Sequence, residues 1–527
     1  MDIKRHKWTA AVLVFAVLAV SSGGASAQAA QTQAARQAPP PEYKQLVAAY
    51  NITDPAARLK EFERLKLAYP DTPYREAIET SILVAKVELA GTLDAVLALQ
   101  KDFLAKGGGT ARLQNPVVLA IQLLKHPKLA SFDKKKVLAA ILSYKDEAVA
   151  ASADPASYEG IPADQQGFLK AQILNAMELT TARAYLNAGE TAKAQVSLDA
   201  YKKAGGTTGG NYQYMVAGVK ESEGKSAEAY AAYLAAAADN FEDSAARAKA
   251  LYIKINGGPD GFDAALAAQL KALPFHPEPF AAPADWKGKV VLAELFTGSE
   301  CPPCVAADIG FDGLVETFPE KYLAVLVYHL PIPRPDPMMN PATKARADLY
   351  GVSSTPTVFI DGVRTGTGGG NRGMAEGKFA EYRAAIGPLL SALPAVTPTL
   401  RASLAGDKVV VSFDPDEALP QAVYSLALVQ DEQEHKGGNG IVYHKMVVRD
   451  ILAVDPKGPG TATFDLAASE KAADAYLTAF EKSYTRVPGF TWEVRRHLLP
   501  RRGLKVVFFV QERDSQRVLN AAVADVK

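Results

Sequence analysis

The two cysteines are the residues of this chain whose spacing most directly suggests chemistry. Cys301 and Cys304 are the only cysteines among 527 residues, and they enclose two prolines. A β-rich run, "KVVLAELFT", precedes the pair, and a helical pattern, "CVAADIGFDGLVETF", overlaps and follows it. A C-x-x-C at such a strand-to-helix junction is typical of a redox motif. The partial positive charge and unpaired N–H groups of a helix N-terminus help a thiol there to ionise and attack a disulfide.

The two thiols are expected to have different roles. Cys301 is predicted to be the exposed nucleophile, and Cys304, one turn into the helix, to resolve the mixed disulfide. Beyond this redox-active disulfide, no cofactor and no metal is predicted. Two alternatives stay open: a structural disulfide, whose short loop would restrain little chain entropy, and a thiolate copper or zinc site. Zinc would need two more ligands, and His329 is the nearest candidate donor.

The first residues indicate the compartment. Residues 1–27 are predicted to be a secretory signal, because basic "KRHK" is followed by a short apolar run and by Ala25-Ser26-Ala27, which fits a cleavage site. The protein is therefore expected to be periplasmic or secreted, where disulfides persist, with no membrane span after cleavage. Lys plus Arg equals Asp plus Glu at 58 each, so no global charge draws the chain to nucleic acid or anionic membrane.

The segment after the signal predicts a linker and then helices. Residues 28–41 are polar and end in prolines, which favours a disordered linker, and residues 42–258 carry helical periodicity. Within them, "TARAYLNAGETAKAQVSLDAY" and "AGVKESEGKSAEAYAAYLAAA" overlay with Gly189 on Gly224 and Ala194 on Ala229. This offset is close to the tetratricopeptide period of about 34 residues. The region resembles tetratricopeptide-like repeats, which implies partner binding; a plain helical spacer is the alternative.

The remaining chain predicts two further domains. Residues 259–283 are proline-rich and are interpreted as a linker, and residues 284–392 alternate β and α patterns, which favours an α/β sheet with helices on both faces. Residues 396–527 contain β-rich runs with turn signals, which predict a β-sandwich-like domain. Two glycine-rich stretches, 368–373 and 431–440, are interpreted as a mobile hairpin loop and a solvated turn.

A second motif lies further along the α/β region. In "GVSSTPTVFIDG" a proline stands at the start of a strand. With C-P-P-C and this spacing, residues 284–392 resemble the thioredoxin superfamily, and in particular an exported branch without a settled substrate. The resemblance implies a cis bond between Thr355 and Pro356, with Pro356 beside the disulfide. It also implies that Thr355 offers backbone groups to an extended substrate peptide.

Three positions depart from that family or remain undecided. Glu300 stands where thioredoxins usually carry an aromatic residue, and its charge should raise the pKa of Cys301. The place of the family's buried acid holds Leu295. Its neighbour Glu294 would face the other side of a regular strand, so it could accept a proton only if a bulge turned it inward. His329 is a second candidate for proton transfer, against the alternative of a structural histidine.

Together these features predict an exported thiol–disulfide oxidoreductase. Its expected partners are exported client proteins and a membrane or periplasmic thiol electron donor. Because Pro302 and Pro303 have no N–H to donate and Glu300 adds negative charge, the Cys301 thiolate should be poorly stabilised, which favours the reducing or isomerising side. The alternative is a non-enzymatic binding scaffold whose thioredoxin-like domain serves for docking.

Overall fold

The structure is a computed structural model that describes residues 41–454, 458–487 and 489–527. The predicted signal, 1–27, lies outside the described residues, and so does the predicted linker, 28–41, apart from its last residue. Among the helices that the structure describes, none is both long enough and apolar enough to cross a membrane.

The chain forms two compact units, and the division falls inside the helical region. The first unit extends to Thr207 and includes Asn211–Tyr233, and the second comprises Thr208–Gly210 and Leu234–Lys527.

The first unit is entirely helical. Its helices are α1 (Pro41–Tyr50), α2 (Pro55–Ala68), α3 (Arg75–Leu89), α4 (Leu93–Leu104), α5 (Ala111–Leu124), α6 (Lys134–Ala153), α7 (Ala163–Ala188), α8 (Thr191–Lys203), most of α9 (Gly210–Ser222) and the start of α10 (Ser226–Ala238). Several begin at a capping side chain: the Asp133 carboxylate accepts hydrogen bonds from the backbone N–H groups of Lys135 and Lys136. The apolar faces meet in a core that includes Leu119, Ile141 and Met177.

The two similar stretches of sequence adopt similar helix pairs. Gly189 follows α7 with φ of 80°, and Gly224 separates α9 from α10 with φ of 77°. These left-handed conformations favour glycine because other residues are strained there. Ala194 and Ala229, each on the second helix of its pair, are fully buried. The two stretches therefore share a turn and a buried small residue.

The second unit is built on an eight-stranded mixed sheet. Its strands are β1 (Val291–Thr297), β2 (Leu323–His329), β3 (Thr357–Ile360), β4 (Val363–Thr367), β7 (Ala422–Glu434), β8 (Tyr443–Val454), β10 (Leu504–Glu512) and β11 (Val518–Asp525). Their order is β11-β10-β7-β8-β2-β1-β3-β4, with β1 parallel to β2 and antiparallel to β3. A smaller sheet contains β5 (Thr399–Ala405), β6 (Lys408–Asp414) and β9 (Gly460–Asp465).

The second unit also contains helices. They are α11 (Ser244–Asn256), α12 (Phe262–Lys271), α13 (Val305–Thr317), α14 (Pro341–Leu349), α15 (Ala375–Leu390) and α16 (Leu466–Ser483). Every residue of β1 and β2 is buried, as expected for central strands covered on both faces. Helices α13 and α15 approach closely at Gly313, where a Cβ would lie 2.9 Å from the Phe379 ring.

The structure differs from the predicted domain division in two respects. Helix α12 occupies part of the predicted linker 259–283. The predicted boundary between residues 392 and 396 does not separate two sheets, because β8 pairs with β2 through Val327 and Val447 and so joins the C-terminal strands to the α/β region. The smaller sheet does pack on one face of these strands, where Val411 and Phe508 share a core.

A buried ion pair fixes α14 against β1. Arg346 donates to Glu294 twice, from Nε to Oε1 at 2.8 Å and from Nη2 to Oε2 at 2.9 Å. The hydroxyls of Tyr328 and Tyr350 donate to the same carboxylate at 2.9 and 2.7 Å. Four donors therefore compensate the burial of this charge.

We expect Arg346→Leu to destabilise the protein by about 3–5 kcal/mol, because it leaves the Glu294 carboxylate buried without a counter-charge. Urea unfolding measures the loss. The matched control is Lys344→Leu on the same helix, since the exposed Lys344–Asp348 pair should contribute less than about 1 kcal/mol. Losses of equal size for the two variants would contradict this prediction.

Candidate redox site

The two cysteines form a disulfide at the N-terminal end of α13. Cys301 follows β1 in an extended conformation, Pro302–Cys304 form one 3-10 turn, and α13 begins at Val305. The S–S distance is 2.06 Å and the Cα atoms are 5.4 Å apart. The pair thus lies at a strand-to-helix junction, where the helix dipole favours a thiolate.

Both cysteines are fully buried, at 0% exposure. The prediction that Cys301 is exposed is therefore wrong for this conformation. The sequence indicates the strand and helix around the motif but not the distant segments that pack against it. Those segments are the Thr355–Pro356 bond and the two glycine-rich stretches.

Thr355 and Pro356 lie beside the disulfide. The bond between them is cis, the isomer that the resemblance implies. The Thr355 carbonyl oxygen lies 3.8 Å from Cys301 Sγ. Thr355 Oγ1 lies 3.4 Å from the same sulfur and 2.8 Å from the Ile332 carbonyl oxygen. Because a hydroxyl has one proton, we assign its hydrogen bond to Ile332, which leaves a packing contact with the sulfur.

The stretch 368–373 is bonded to the motif, unlike the mobile loop predicted for it. The Gly370 N–H donates to the Pro303 carbonyl at 2.7 Å, and the Ala306 N–H donates to the Gly370 carbonyl at 3.0 Å. A Cβ at Gly369 would overlap the Pro303 carbonyl oxygen. Backbone therefore packs directly on backbone here.

The stretch 431–440 reaches the motif from the other direction. Its Asn439 N–H donates to the Ser299 carbonyl at 3.0 Å, and its Gly438 N–H donates to Glu300 Oε1 at 2.8 Å. The interpretation of this stretch as a solvated turn is therefore incomplete, since its far end lies against the residues before Cys301.

Glu294 lies on the wrong face of the sheet for the predicted role in proton transfer. The register between β1 and β2 is unbroken from Val291 to Thr297, so no bulge turns Glu294 inward. Thr297 contacts Asp308 of α13, and side chains alternate along a strand, so Glu294 faces α14 instead. Its carboxylate is engaged by Arg346, and its role is structural.

A different carboxyl group, that of Asp308, lies near the motif. Asp308 is buried one helical turn after Cys304, and such positions lie on the same helix face. Burial raises the pKa of Asp308 well above its usual range, although the Thr297 hydroxyl, which donates at 2.9 Å, acts against this. Burial therefore favours the protonated form of Asp308. The signal in the sequence is a carboxyl group inside the apolar run "CVAAD".

Asp308 borders a small cavity. The cavity measures about 10 Å³, which is room for about one water molecule. Asp312, His329, His444 and Lys445 also line it. Burial raises the pKa of Asp312 to about 7, and the charge of Lys445 acts against that rise.

His329 is paired with a carboxylate that the sequence interpretation missed. Its Nδ1 lies 2.9 Å from Asp336 Oδ2, and that oxygen also accepts the Ser299 N–H at 2.6 Å. Burial alone would raise the pKa of Asp336, but the charge and hydrogen bond of His329 and the N–H groups of Ser299 and Met338 lower it to about 2. Because an ionised carboxylate only accepts hydrogen bonds, Nδ1 is the donor. His329 thus supports the position of Ser299.

Two more histidines adjoin His329. The His444 ring centroid lies 5.1 Å from that of His329 and 6.1 Å from that of His435. His444 Nε2 lies 3.0 Å from the His435 carbonyl oxygen, which requires Nε2 to carry the proton. Even so, the described part of the chain contains no group of three or more His, Cys, Asp or Glu side chains arranged to hold a metal ion.

Comparison with family models, with curated proteins and with solved structures finds no match to this chain.

We expect His444 to make the folded state sensitive to acid. Burial, and then the charge of His329, lower the pKa of His444 to about 3. As the pH falls below about 6.5, the unfolded chain binds a proton at this residue that the folded chain does not, so stability falls by about 1.4 kcal/mol per pH unit. His444→Gln keeps an N–H donor and removes this titration. The free energy of unfolding, measured with urea at several pH values between about 4 and 7, should depend less steeply on pH for the variant.

The control for this measurement is His276→Gln at an exposed histidine. Its slope should match that of the unmodified protein. If the His444→Gln slope also matched, the assignment of a neutral, buried imidazole to His444 would be wrong.

Proposed function

We propose that the protein is an exported thiol–disulfide oxidoreductase that exchanges disulfides with client proteins through Cys301 and Cys304. The observation that carries the proposal is a C-x-x-C disulfide at the N-terminal end of a buried helix with Thr355–Pro356 beside its first sulfur. Two cysteines three positions apart in a chain of this length are otherwise unexplained, since so short a loop adds little stability.

The proposal includes a thioredoxin-like fold for residues 284–392. Its support is topological: the order β2-β1-β3-β4, with β1 and β2 parallel, β3 antiparallel to β1, and β4 antiparallel to β3. Helix α13 connects β1 to β2, and α15 follows β4. For the other regions we propose tetratricopeptide-like repeats that bind clients and a β-sandwich-like packing of the C-terminal strands.

In the proposed reaction, the Cys301 thiolate attacks a client disulfide. One client thiolate leaves, and a mixed disulfide forms. The Cys304 thiolate then attacks Cys301 Sγ, which releases the second client thiolate and leaves Cys301–Cys304 oxidised. The client has gained two electrons. A membrane or periplasmic thiol donor must then supply two electrons to reduce the Cys301–Cys304 disulfide again.

Asp308 is the group best placed to handle the proton of Cys304. When the donor reduces the disulfide, neutral Asp308 gives its proton to the Cys304 sulfur as that sulfur leaves. When Cys304 attacks the mixed disulfide, the Asp308 carboxylate takes the proton back. A buried acid with a raised pKa suits both directions of this transfer.

For the direction of electron flow we propose the reducing or isomerising side. Pro302 and Pro303 offer no N–H to a thiolate, and the Cys304 N–H donates to the Cys301 carbonyl. The Glu300 charge opposes this thiolate less than the sequence alone predicts, because Arg334 lies 3.4 Å from its carboxylate. Equilibration against a glutathione buffer tests the direction, and a couple more oxidising than glutathione would overturn it.

A second candidate is a non-enzymatic scaffold. The observation that favours it is the burial of both sulfur atoms in this conformation. Reduction of insulin separates the two candidates, since a scaffold shows no rate that depends on Cys301.

We expect Cys304→Ala to accumulate mixed disulfides with exported client proteins, because it keeps the nucleophile and lacks the resolving thiol. Cys301→Ala should accumulate none. Non-reducing electrophoresis of each variant, expressed with its signal, measures the adducts. Equal trapping by the two variants would show that the roles of nucleophile and resolving thiol are wrongly assigned.

We expect Asp308→Asn to be slower and yet more stable. Loss of the proton carrier should lower the rate of client reduction by about 100-fold. Because the folded-state pKa of Asp308 is raised, the unmodified protein loses stability as the pH rises above about 3.9, where the unfolded chain ionises. The variant should therefore melt at a higher temperature at pH 7, and the difference should vanish at about pH 3. An unchanged rate would exclude Asp308 from proton transfer.

A further inference from the structure

One loop of the C-terminal region lies across the residues that precede Cys301. We call residues 436–440, between β7 and β8, the cover loop. Asn439 donates from its N–H to the Ser299 carbonyl at 3.0 Å and from Nδ2 to the Gly298 carbonyl at 3.3 Å. The Gly438 N–H donates to Glu300 Oε1 at 2.8 Å. Three consecutive residues before the nucleophile thus hold this loop.

The loop is shaped for close contact. A Cβ at Gly437 would lie 2.5 Å from the Ser299 carbonyl oxygen, and a Cβ at Gly438 would overlap the Glu300 carboxylate. At Gly437 the close atom is backbone, so only glycine fits there, whereas a Cβ at Gly438 would displace the Glu300 carboxylate. Glycine is also the residue with the widest choice of backbone conformations, so the same composition lets the loop leave this position without steric hindrance.

Glu300 is the side chain that secures the loop. Its carboxylate lies between the Gly438 N–H and Arg334 Nη2, which is 3.4 Å from Oε2. Arg334 Nη2 also lies 3.5 Å from the Glu300 carbonyl oxygen. This accounts for an acidic residue next to the nucleophile, where its charge works against thiolate formation.

The closed arrangement conflicts with the chemistry of a protein substrate. Disulfide exchange needs the attacking sulfur to reach the client sulfur, and both cysteines here are at 0% exposure. The stretch 368–373 is bonded to Pro303 and Ala306, at the start of α13 itself. The cover loop, by contrast, is attached to the segment before Cys301, and its hydrogen bond to the Glu300 carboxylate is exposed.

We propose that the cover loop determines substrate access: closed, it restricts Cys301 to small reagents, and an extended client segment displaces it by taking over its bonds to the Gly298 and Ser299 carbonyls. Glu300 and Asn439 are positioning residues that hold the loop closed. The proposal rests on the proposed function, because the client is a protein disulfide in an extended segment.

The experiment measures access to Cys301 in the reduced full-length Cys304→Ala protein, so that one thiol reacts. Alkylation by iodoacetamide, which is small, is compared with alkylation by a maleimide carrying a polyethylene glycol chain. Asn439→Ala removes the side-chain hydrogen bonds to the Gly298 carbonyl and from the Ile441 N–H without changing charge. Gly437→Ala excludes the closed position, because its Cβ would meet the Ser299 carbonyl oxygen. Each should raise the rate with the large reagent about tenfold and the rate with iodoacetamide by less. Asn371→Ala in the other glycine-rich stretch is the matched control and should leave both rates unchanged.

Glu300→Gln separates access from electrostatics. An opened loop raises the plateau of the alkylation rate at high pH, where all of the thiol is ionised, whereas loss of charge alone moves only the midpoint of the pH profile. Melting temperatures exclude general unfolding in each variant. The proposed role of the cover loop would be overturned if Asn439→Ala and Gly437→Ala both react with the large reagent at the rate of the parent protein.

The outcome is independent of the proposed function, because alkylation requires no client. Faster alkylation of these variants, with no insulin reduction by the protein that has both cysteines, would support the role of the cover loop and reject the oxidoreductase function. Insulin reduction that depends on Cys301, with unchanged alkylation rates in the variants, would support the oxidoreductase function and reject the role of the cover loop.

Discussion

The buried carboxylate of Asp336 connects the parts of the candidate site. A charge without water needs donors, and Asp336 takes them from Ser299, His329 and Met338. Ser299 precedes Cys301 by two residues, and its carbonyl accepts a hydrogen bond from the Asn439 N–H. His329 packs edge to face on His444, which donates to His435 at the base of the cover loop. Hydrogen bonds and one ring contact therefore connect the end of β2, the residues before Cys301 and the β7–β8 connection.

Close backbone contact is the second constraint, and it explains the glycines. At Gly369 and at Gly437 a Cβ would meet a backbone carbonyl of the segment around the cysteines. Side chains there would prevent both loops from packing at these distances. Stretches 368–373 and 431–440, which the sequence predicts to be a mobile loop and a solvated turn, therefore pack against the cysteine segment. Glycine permits such close approach as well as flexibility.

Local patterns were sufficient for part of this fold. The strand-to-helix position of the cysteines, the strand after Thr355–Pro356, the helical first unit and the turns at Gly189 and Gly224 all follow from neighbours in sequence. Partners distant in the chain could not be predicted. The pairing of Val327 with Val447 joins segments that the composition shift assigns to separate domains. Strand alternation did indicate that Glu294 faces away from α13, but not that Arg346 would meet it there.

Two means of controlling a thiol remain to be distinguished in such a site. One is stabilisation of the thiolate by N–H groups and positive charge, which the prolines of the motif and Glu300 do not supply. The other is access. Glu300 disfavours the thiolate through its charge. In the proposed role of the cover loop it also restricts access to Cys301, because its carboxylate accepts the Gly438 N–H. An acidic residue at this position therefore fits the proposal that exposure limits the reactivity of Cys301. In that proposal the burial of the disulfide contributes to function, because it controls which reagents reach the sulfur.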